Sequence, residues 1–223
     1  MEKPARVADM DVSTADSGGA LRRALVFAVN FIKHPKMVGT FAVSSPALVQ
    51  RLLADVDWSR CRAVVELGPG VGTITRAILQ AMPAGARLVA VEMNADFVEE
   101  LQRSLPDPRL DLVRGSAADL RAHLAEAAVP AVDLAVSGIP FSTMPPAVRD
   151  QTLDAVAAAL APDGRFLVYQ YARHVLPHLQ ARFARVEVEL EWRNLVPVRL
   201  FRCSQPRCDR AQAAETERVS TRP

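Results

Sequence analysis

The sequence is poor in several features that would otherwise mark its class. It has three cysteines, Cys61, Cys203 and Cys208, an odd number without zinc-ligand spacing, so we expect free thiols and no metal site. It has no run of 18 apolar residues, the length that crosses a bilayer. Its first twenty residues are small and polar, without the apolar core of a secretory signal. These absences predict a cytoplasmic protein.

The net charge and the absence of a linker bound the binding partners and the number of domains. The net charge of +2 is too small to indicate nucleic acid by itself, and nothing indicates an obligate protein partner. No Pro/Gly/Ser-rich linker interrupts residues 60–203, which favours a single α/β domain. We expect a disordered N-terminus over 1–19, N-terminal helices over 20–56, the domain over 57–203 and a disordered tail over 204–223.

Apolar strands and amphipathic helices alternate along the domain. Strands are predicted at 63–67, 87–92, 110–114, 132–136 and 165–171. This order predicts right-handed βαβ units and a parallel sheet. The last two strands, 185–192 and 197–203, are joined by a link too short for a crossover helix, so they must be antiparallel. We predict a Rossmann-like fold with a seven-stranded, mostly parallel sheet and one antiparallel strand.

Three closely spaced glycines follow the first predicted strand. Gly68, Pro69, Gly70 and Gly72 form the turn, and Thr73 opens the next helix. Such a turn brings backbone N–H groups and a helix N-terminus close to a ligand without side chains in the way. The G-x-G-x-G spacing departs from the G-x-G-x-x-G fingerprint of pyrophosphate sites, so a ligand without phosphates fits better. The alternative is an ordinary strand-to-helix turn.

Acidic residues flank this turn. Glu66 precedes it, and Glu92 ends the second strand, where it can accept hydrogen bonds from two ribose hydroxyls. Together these residues resemble motif I of the class I S-adenosylmethionine-dependent methyltransferases. The resemblance implies S-adenosyl-L-methionine as cofactor. Met93 can cover an adenine face or belong to the core.

The loop after the third strand carries Ser116 and Ala117. Methyltransferases that resemble this one usually have an acid at this point, which binds the adenine amino group. Ser116 replaces it here. A hydroxyl still accepts such a bond, although more weakly than a carboxylate.

The loop after the fourth strand reads Ser137-Gly138-Ile139-Pro140-Phe141. It resembles the Asn-Leu/Ile-Pro-Tyr/Phe signature of the ribosomal RNA adenine dimethyltransferases, with glycine in place of asparagine. It is closer to the Gly-Leu/Ile-Pro-Phe stretch of the bacterial phospholipid N-methyltransferases. The resemblance implies an amine acceptor held by backbone carbonyls of residues 137–139, with Ser137 also near the cofactor. Phe141 and Tyr169 are expected either beside the acceptor or in the core.

Two N-terminal segments complete the resemblance. Residues 20–34 are predicted to form a basic amphipathic helix, which either lies on an anionic membrane surface or covers the cofactor pocket as a lid. The loop at 39–45 contributes Thr40 and Ser45 as cofactor contacts. Ser45 is also expected to cap the next helix, with Pro46 in its first turn.

These features predict an N-methyltransferase that acts on the phosphatidylethanolamine headgroup, toward phosphatidylcholine, peripherally on the inner face of the membrane. Four basic residues are candidates for the lipid phosphate: Arg149, Arg173, His174 and His178. The alternatives are a methyltransferase of a soluble small molecule, a ribosomal RNA adenine dimethyltransferase, and a cofactor-binding module without activity. RNA is the weaker acceptor, because only about twenty polar residues follow the last strand.

Overall fold

One sheet flanked by helices organises the chain, and the computed structural model describes residues 44–193 and 197–207. The strands are β1 (Ala63–Leu67), β2 (Arg87–Glu92), β3 (Leu110–Arg114), β4 (Val132–Ser137), β5 (Leu160–Gln170), β6 (Phe183–Glu191) and β7 (Val198–Pro206). The α-helices are α1 (Pro46–Leu53), α2 (Thr73–Ala81), α3 (Ala95–Ser104), α4 (Leu120–Glu126), α5 (Pro146–Ala159) and α6 (Leu176–Arg182). Short 3₁₀ turns lie at Trp58–Arg60 and Ala117–Asp119.

The seven strands lie in the order β3-β2-β1-β4-β5-β7-β6. Strands β1 to β5 pair in parallel, whereas β7 is antiparallel to both β5 and β6. The predicted fold class is therefore confirmed, including the one antiparallel strand. Strand β7 runs to Pro206, beyond the predicted end at residue 203, so sheet pairing continues into the segment expected to be disordered.

Strand β5 differs from its prediction at its start. The strand begins at Leu160, five residues before the predicted start at residue 165, because Leu160 already pairs with Val132 of β4. The register shifts between Val132 and Leu134, and this irregularity accommodates the extra residues.

The central strands are apolar on both faces, which is why each face carries its own core. On β1, Val65 packs into the core under helices α4 to α6, and Val64 packs into the core under α1 and α2. The cysteines Cys61 and Cys203 are buried free thiols, whereas Cys208 lies outside the described residues. Among the described residues, no helix is both long and apolar enough to span a bilayer.

Helix α1 is fastened at both ends. The Ser45 hydroxyl accepts the Leu48 N–H at 3.1 Å, and Pro46 lies in the first turn, as predicted. At the other end, the Arg202 guanidinium of β7 donates to the carbonyls of Arg51 at 2.6 Å and Leu52 at 3.1 Å. These two contacts satisfy carbonyls that the helix end leaves unpaired. They fix the position of α1 across the sheet.

Candidate cofactor and acceptor site

Three loops meet at the carboxyl edge of the parallel strands. The Gly68 N–H donates to the Val91 carbonyl of β2 at 2.9 Å, and the Gly138 N–H donates to the Leu67 carbonyl of β1 at 3.2 Å. The loops after β1, β2 and β4 are therefore joined side by side. Ligands of doubly wound sheets bind at this edge.

All three glycines of the turn have positive φ angles, of 75°, 54° and 80° for Gly68, Gly70 and Gly72. A Cβ at Gly68 would lie 3.1 Å from Ile139 Cγ1, and one at Gly72 would lie 2.4 Å from Leu101 Cδ2. At Gly70 a Cβ would meet nothing within 4 Å. The positive φ angles favour glycine at all three positions, a side chain at Gly68 or Gly72 would also crowd its neighbour, and the space beside Gly70 is open to a ligand.

Two further predicted residues complete this turn. The Gly72 N–H donates to the carbonyl of buried Pro69 at 2.9 Å, which closes the turn. Thr73 is the first residue of helix α2, as expected, and Gly72 caps that helix without a side chain. The N-terminus of α2 is consequently unobstructed beside Gly70.

Glu92 is held in place by two backbone N–H groups. One carboxylate oxygen accepts from Gly70 at 3.1 Å, and the other accepts from Asn94 at 2.9 Å. Each oxygen keeps a further lone pair, so the carboxylate can still accept bonds from both hydroxyls of a ribose. The neighbouring Met93 is half-buried.

Glu66 is a buried carboxylate without a complete set of partners. The residue is 2% exposed, and one carboxylate oxygen has no hydrogen-bond partner among the described residues. Burial raises the pKa of Glu66 to about 7; the nearby Thr75 hydroxyl lowers it, and the charge of Glu92 raises it. The Thr75 hydroxyl is near enough to Glu66 to lower its pKa. It does not meet the geometry of a hydrogen bond with any described residue. An unpaired buried acceptor is costly, and a cationic or N–H-bearing ligand would satisfy it.

The loop after β3 joins the same edge. The Gly115 N–H donates to the Glu92 carbonyl at 2.9 Å, and the Ser116 hydroxyl accepts the Ala118 N–H at 3.2 Å. Ser116 thus caps the 3₁₀ turn and keeps its own O–H as a donor. Ala117 is 5% exposed and packs in the core, so its side chain does not line the site as expected.

His123 supports this loop and was missed by the sequence analysis. Its Nε2–H donates to the Ser116 carbonyl at 3.1 Å, since a carbonyl oxygen only accepts. The ring also lies against Gly115, where a Cβ would be 2.7 Å from it. His123 lies seven residues after Ser116, and this spacing matches no motif that the sequence analysis could recognise.

The loop after β4 is fixed by two side chains. The Ser137 hydroxyl accepts the Ile139 N–H at 3.2 Å, and the Gln170 amide donates to the Ile139 carbonyl at 2.6 Å. The same carbonyl accepts the Phe141 N–H at 2.8 Å. Both lone pairs of that oxygen are therefore used, and it does not hold an acceptor amine as expected. Gln170, at the end of β5, was missed by the sequence analysis.

Phe141 lies in the core and not beside the acceptor. It is 0% exposed, and its ring packs edge-on against Phe166, with centroids 6.5 Å apart at 81°. The tight turn at Ile139 and Pro140 directs the ring inward. Of the two places expected for Phe141, beside the acceptor or in the core, the structure shows the core.

Tyr169 occupies the space beside Gly138. A Cβ at Gly138 would lie 2.1 Å from the phenol oxygen and 2.5 Å from Cζ. Burial raises the pKa of the phenol well above its ordinary value, the charge of Glu66 adds to the rise, and a hydrogen bond with Ser44 partly offsets it. The phenol is consequently neutral at physiological pH. The glycine at 138 is required by this ring.

Two further predicted cofactor contacts, Thr40 and Ser45, precede helix α1 in the sequence. Thr40 and the predicted helix at 20–34 are outside the described residues. Besides capping α1, Ser45 donates to the Arg193 carbonyl at 3.4 Å.

Two of the four basic candidates for a lipid phosphate are already paired. Arg149 and His178 contact Asp150 at 3.2 and 3.4 Å. Arg173 and His174 are exposed beyond the end of β5.

A concavity of about 510 Å³ lies at the opposite end of the sheet, around Arg165 of β5 and Ser204 of β7. None of the loops that meet at the carboxyl edge lines it. Within residues 44–193 and 197–207, no cluster of His, Cys, Asp or Glu has the composition to hold a metal ion.

Comparison with known proteins agrees with this geometry. Residues 64–164 match the model of a methyltransferase domain. An ornithine lipid N-methyltransferase from Singulisphaera acidiphila is 30% identical over 180 residues, which cover 80% of this chain and 94% of the relative. The chain belongs to the class I S-adenosylmethionine-dependent methyltransferases. This methyltransferase uses S-adenosyl-L-methionine.

Two more distant relatives share only part of their length or only the fold with this chain. A ribosomal RNA small subunit methyltransferase A from Parasynechococcus marenigrum is 28% identical over 66% of this chain but only 47% of its own length. The 1,6-didemethyltoxoflavin-N1-methyltransferase of Burkholderia thailandensis, solved with S-adenosylhomocysteine, has a TM-score of 0.62 and 19% identity over 89% of this chain and 94% of that one. This structural likeness shows the shared fold.

The described residues fit the cofactor. Glu92 suits the ribose hydroxyls, the open side of Gly70 admits the ligand to the backbone, and the unpaired oxygen of Glu66 suits a cationic group. When bound, the cofactor supplies an electrophilic methyl group. The contribution of the chain is to bind and orient, which such a transfer needs more than a strong base.

Replacing Glu92 with alanine should weaken S-adenosylmethionine binding roughly 10- to 100-fold, because hydrogen bonds to a charged acceptor are lost and the Gly70 N–H is left unpaired. Isothermal titration calorimetry measures this change. Glu99→Ala, an exposed position on helix α3, is the matched control. An unchanged affinity in Glu92→Ala would rule out the ribose assignment.

The pKa of Glu66 predicts how stability depends on pH. The ordinary value of 4.5 applies to the unfolded chain, and the folded value is about 7. Between these values the unfolded chain releases the proton first, so the free energy of unfolding should fall as pH rises and then level off above the folded pKa. Glu66→Gln stays neutral and lacks this decline. In urea unfolding measured without the cofactor, the free energy of unfolding of Glu66→Gln should rise relative to that of the wild type between about pH 5 and about pH 8. Parallel pH curves would contradict the assignment.

Proposed function

We propose that this methyltransferase acts on the primary amine of a membrane lipid, with the ethanolamine headgroup of phosphatidylethanolamine as the expected acceptor. The similarity to ornithine lipid N-methyltransferase carries this proposal, because it extends over 94% of that relative. The RNA-directed relatives match over much less of their length, 38% and 47% for two of them. Both lipids present an amine at a headgroup, so the shared chemistry is methylation of a lipid amine.

The pair formed by Gly138 and Tyr169 supports an acceptor other than a nucleobase. The asparagine of the RNA signature would need the volume that the Tyr169 ring fills. We infer that the Tyr169 hydroxyl takes over as the hydrogen-bond partner of the acceptor amine. Its neutral state suits this role, because a phenol oxygen accepts an N–H bond while its own O–H donates elsewhere.

Positioning accounts for the other requirements of amine methylation. The acceptor nitrogen must be neutral, desolvated and aligned, and the buried carboxyl edge around Ser137 and Tyr169 provides a water-poor setting. The methylated product is an ammonium ion, which an aromatic ring attracts through its electron-rich face. The Tyr169 ring therefore suits both the acceptor and the product.

We further propose that the protein reaches its lipid from the surface of the membrane. The basic, acid-free stretch at 20–34 favours contact with anionic lipids, each cation near such a surface contributing about 1 kcal/mol.

The purified full-length chain, given methyl-labelled S-adenosylmethionine, should label phosphatidylethanolamine in vesicles. Parallel reactions contain ornithine lipid, total RNA and a soluble metabolite pool, and Glu92→Ala serves as the cofactor-binding control. Label in ornithine lipid alone would keep the lipid-amine class and change the acceptor. Label confined to RNA or metabolites would refute the proposed function.

Tyr169→Phe should lower kcat for the lipid amine roughly 10- to 100-fold and leave the affinity for S-adenosylmethionine unchanged, because one hydrogen bond to the acceptor is lost. Tyr171→Phe, at a residue that is 38% exposed, is the matched control. Gly138→Asn alone should be inactive through collision with the ring. In the double variant Gly138→Asn/Tyr169→Ala, the amide should restore activity above that of Tyr169→Ala. Full activity in Tyr169→Phe would show that Tyr169 has only a packing role.

A further inference from the structure

The outer strand of the sheet carries an apolar row that the proposed chemistry does not use. On β6 and just after it, Val188 is 39% exposed, Leu190 36% and Trp192 70%. Alternate residues of a strand point to the same side, so these three form one row about 13 Å long. Exposure is greatest at the end that lies on the carboxyl edge, where the site is.

The acidic residues that alternate with this row are all paired. The pairs are Glu187 with Arg185 at 2.7 Å, Glu189 with Arg51 at 2.9 Å, and Glu191 with Arg193 at 3.1 Å. The pairing offsets the negative charge beside the apolar row. An anionic surface is therefore not repelled from this edge as the sequence of β6 alone would suggest.

Position links the row to the site. The Ser45 hydroxyl, before helix α1, donates to the Arg193 carbonyl at 3.4 Å, directly after Trp192. Arg173 and His174 are exposed beyond the end of β5, at the same edge. Cationic and apolar groups thus share the side of the molecule on which Tyr169 lies.

We propose that Val188, Leu190 and Trp192 insert into the interfacial layer of an anionic lipid bilayer, with the site entrance turned toward the headgroups. This inference rests on the proposed lipid function and deepens it. Tryptophan favours the membrane interface because its ring is apolar and its N–H is polar. The exposed Arg173 at the same edge suits anionic headgroups, which favours the bilayer over a neutral apolar partner.

The two tryptophans of the chain, Trp58 and Trp192, allow a direct test. In the full-length Trp58→Phe variant, fluorescence reports Trp192 alone. Vesicles of phosphatidylcholine and phosphatidylglycerol with brominated acyl chains contain no primary amine, so they measure docking without methyl transfer. Emission should shift to the blue and be quenched. In Trp192→Phe, the remaining Trp58 packs against the core and should be quenched far less.

A second variant separates docking from catalysis. Trp192→Ser should bind these vesicles roughly tenfold more weakly, because one large apolar side chain no longer inserts. Its unfolding midpoint and its affinity for S-adenosylmethionine should not change. Absence of quenching would overturn the inference, as would a blue-shifted Trp192 before vesicles are added, which indicates cover by the chain itself. A dimer lost in Trp192→Ser would assign the row to a second copy instead. Lipid methylation that persists without quenching would leave the proposed function intact.

Discussion

The contact between the Glu92 carboxylate and the Gly70 N–H is the constraint on which the site depends. It ties the loop after β1 to the end of β2, and the second carboxylate oxygen ties the same point to Asn94. The turn is thereby held open at its middle glycine, while Gly68 and Gly72 are packed against Ile139 and Leu101. A cofactor therefore meets a preformed backbone, and little ordering is needed when it binds.

That preformed edge has an electrostatic cost. Glu66 and Glu92 are both buried on neighbouring strands, and burial together with the second carboxylate keeps the pKa of Glu66 near 7. One oxygen of Glu66 also lacks a hydrogen-bond partner among the described residues. A positively charged cofactor would relieve the repulsion between the two carboxylates. We regard the edge as built for a ligand that carries both charge and hydrogen-bond donors.

Sequence reasoning succeeded where one residue type is required by the backbone. Positive φ angles explain why glycine stands at positions 68, 70 and 72, and the apolar run before Glu92 places its carboxylate at the end of β2. It left the place of Phe141 open, because an aromatic residue after a tight turn can face either way. Only the packing against Phe166 decides this. Gln170 was missed because its partner Ile139 lies 31 residues away, on a strand whose register the sequence does not reveal.

The pairing of Gly138 with Tyr169 illustrates how one departure from a family signature can be understood physically. Strands β4 and β5 are neighbours, and the pairing of Ser137 with Val168 places positions 138 and 169 next to each other. The two side chains share one volume, so a large residue at one position demands a small residue at the other. Loss of the asparagine is then one half of an exchange, whose other half is a phenol oxygen brought to nearly the same point. On the proposed function, an amide at position 138 would suit a flat nucleobase amine, and a hydroxyl at position 169 would suit a flexible headgroup amine.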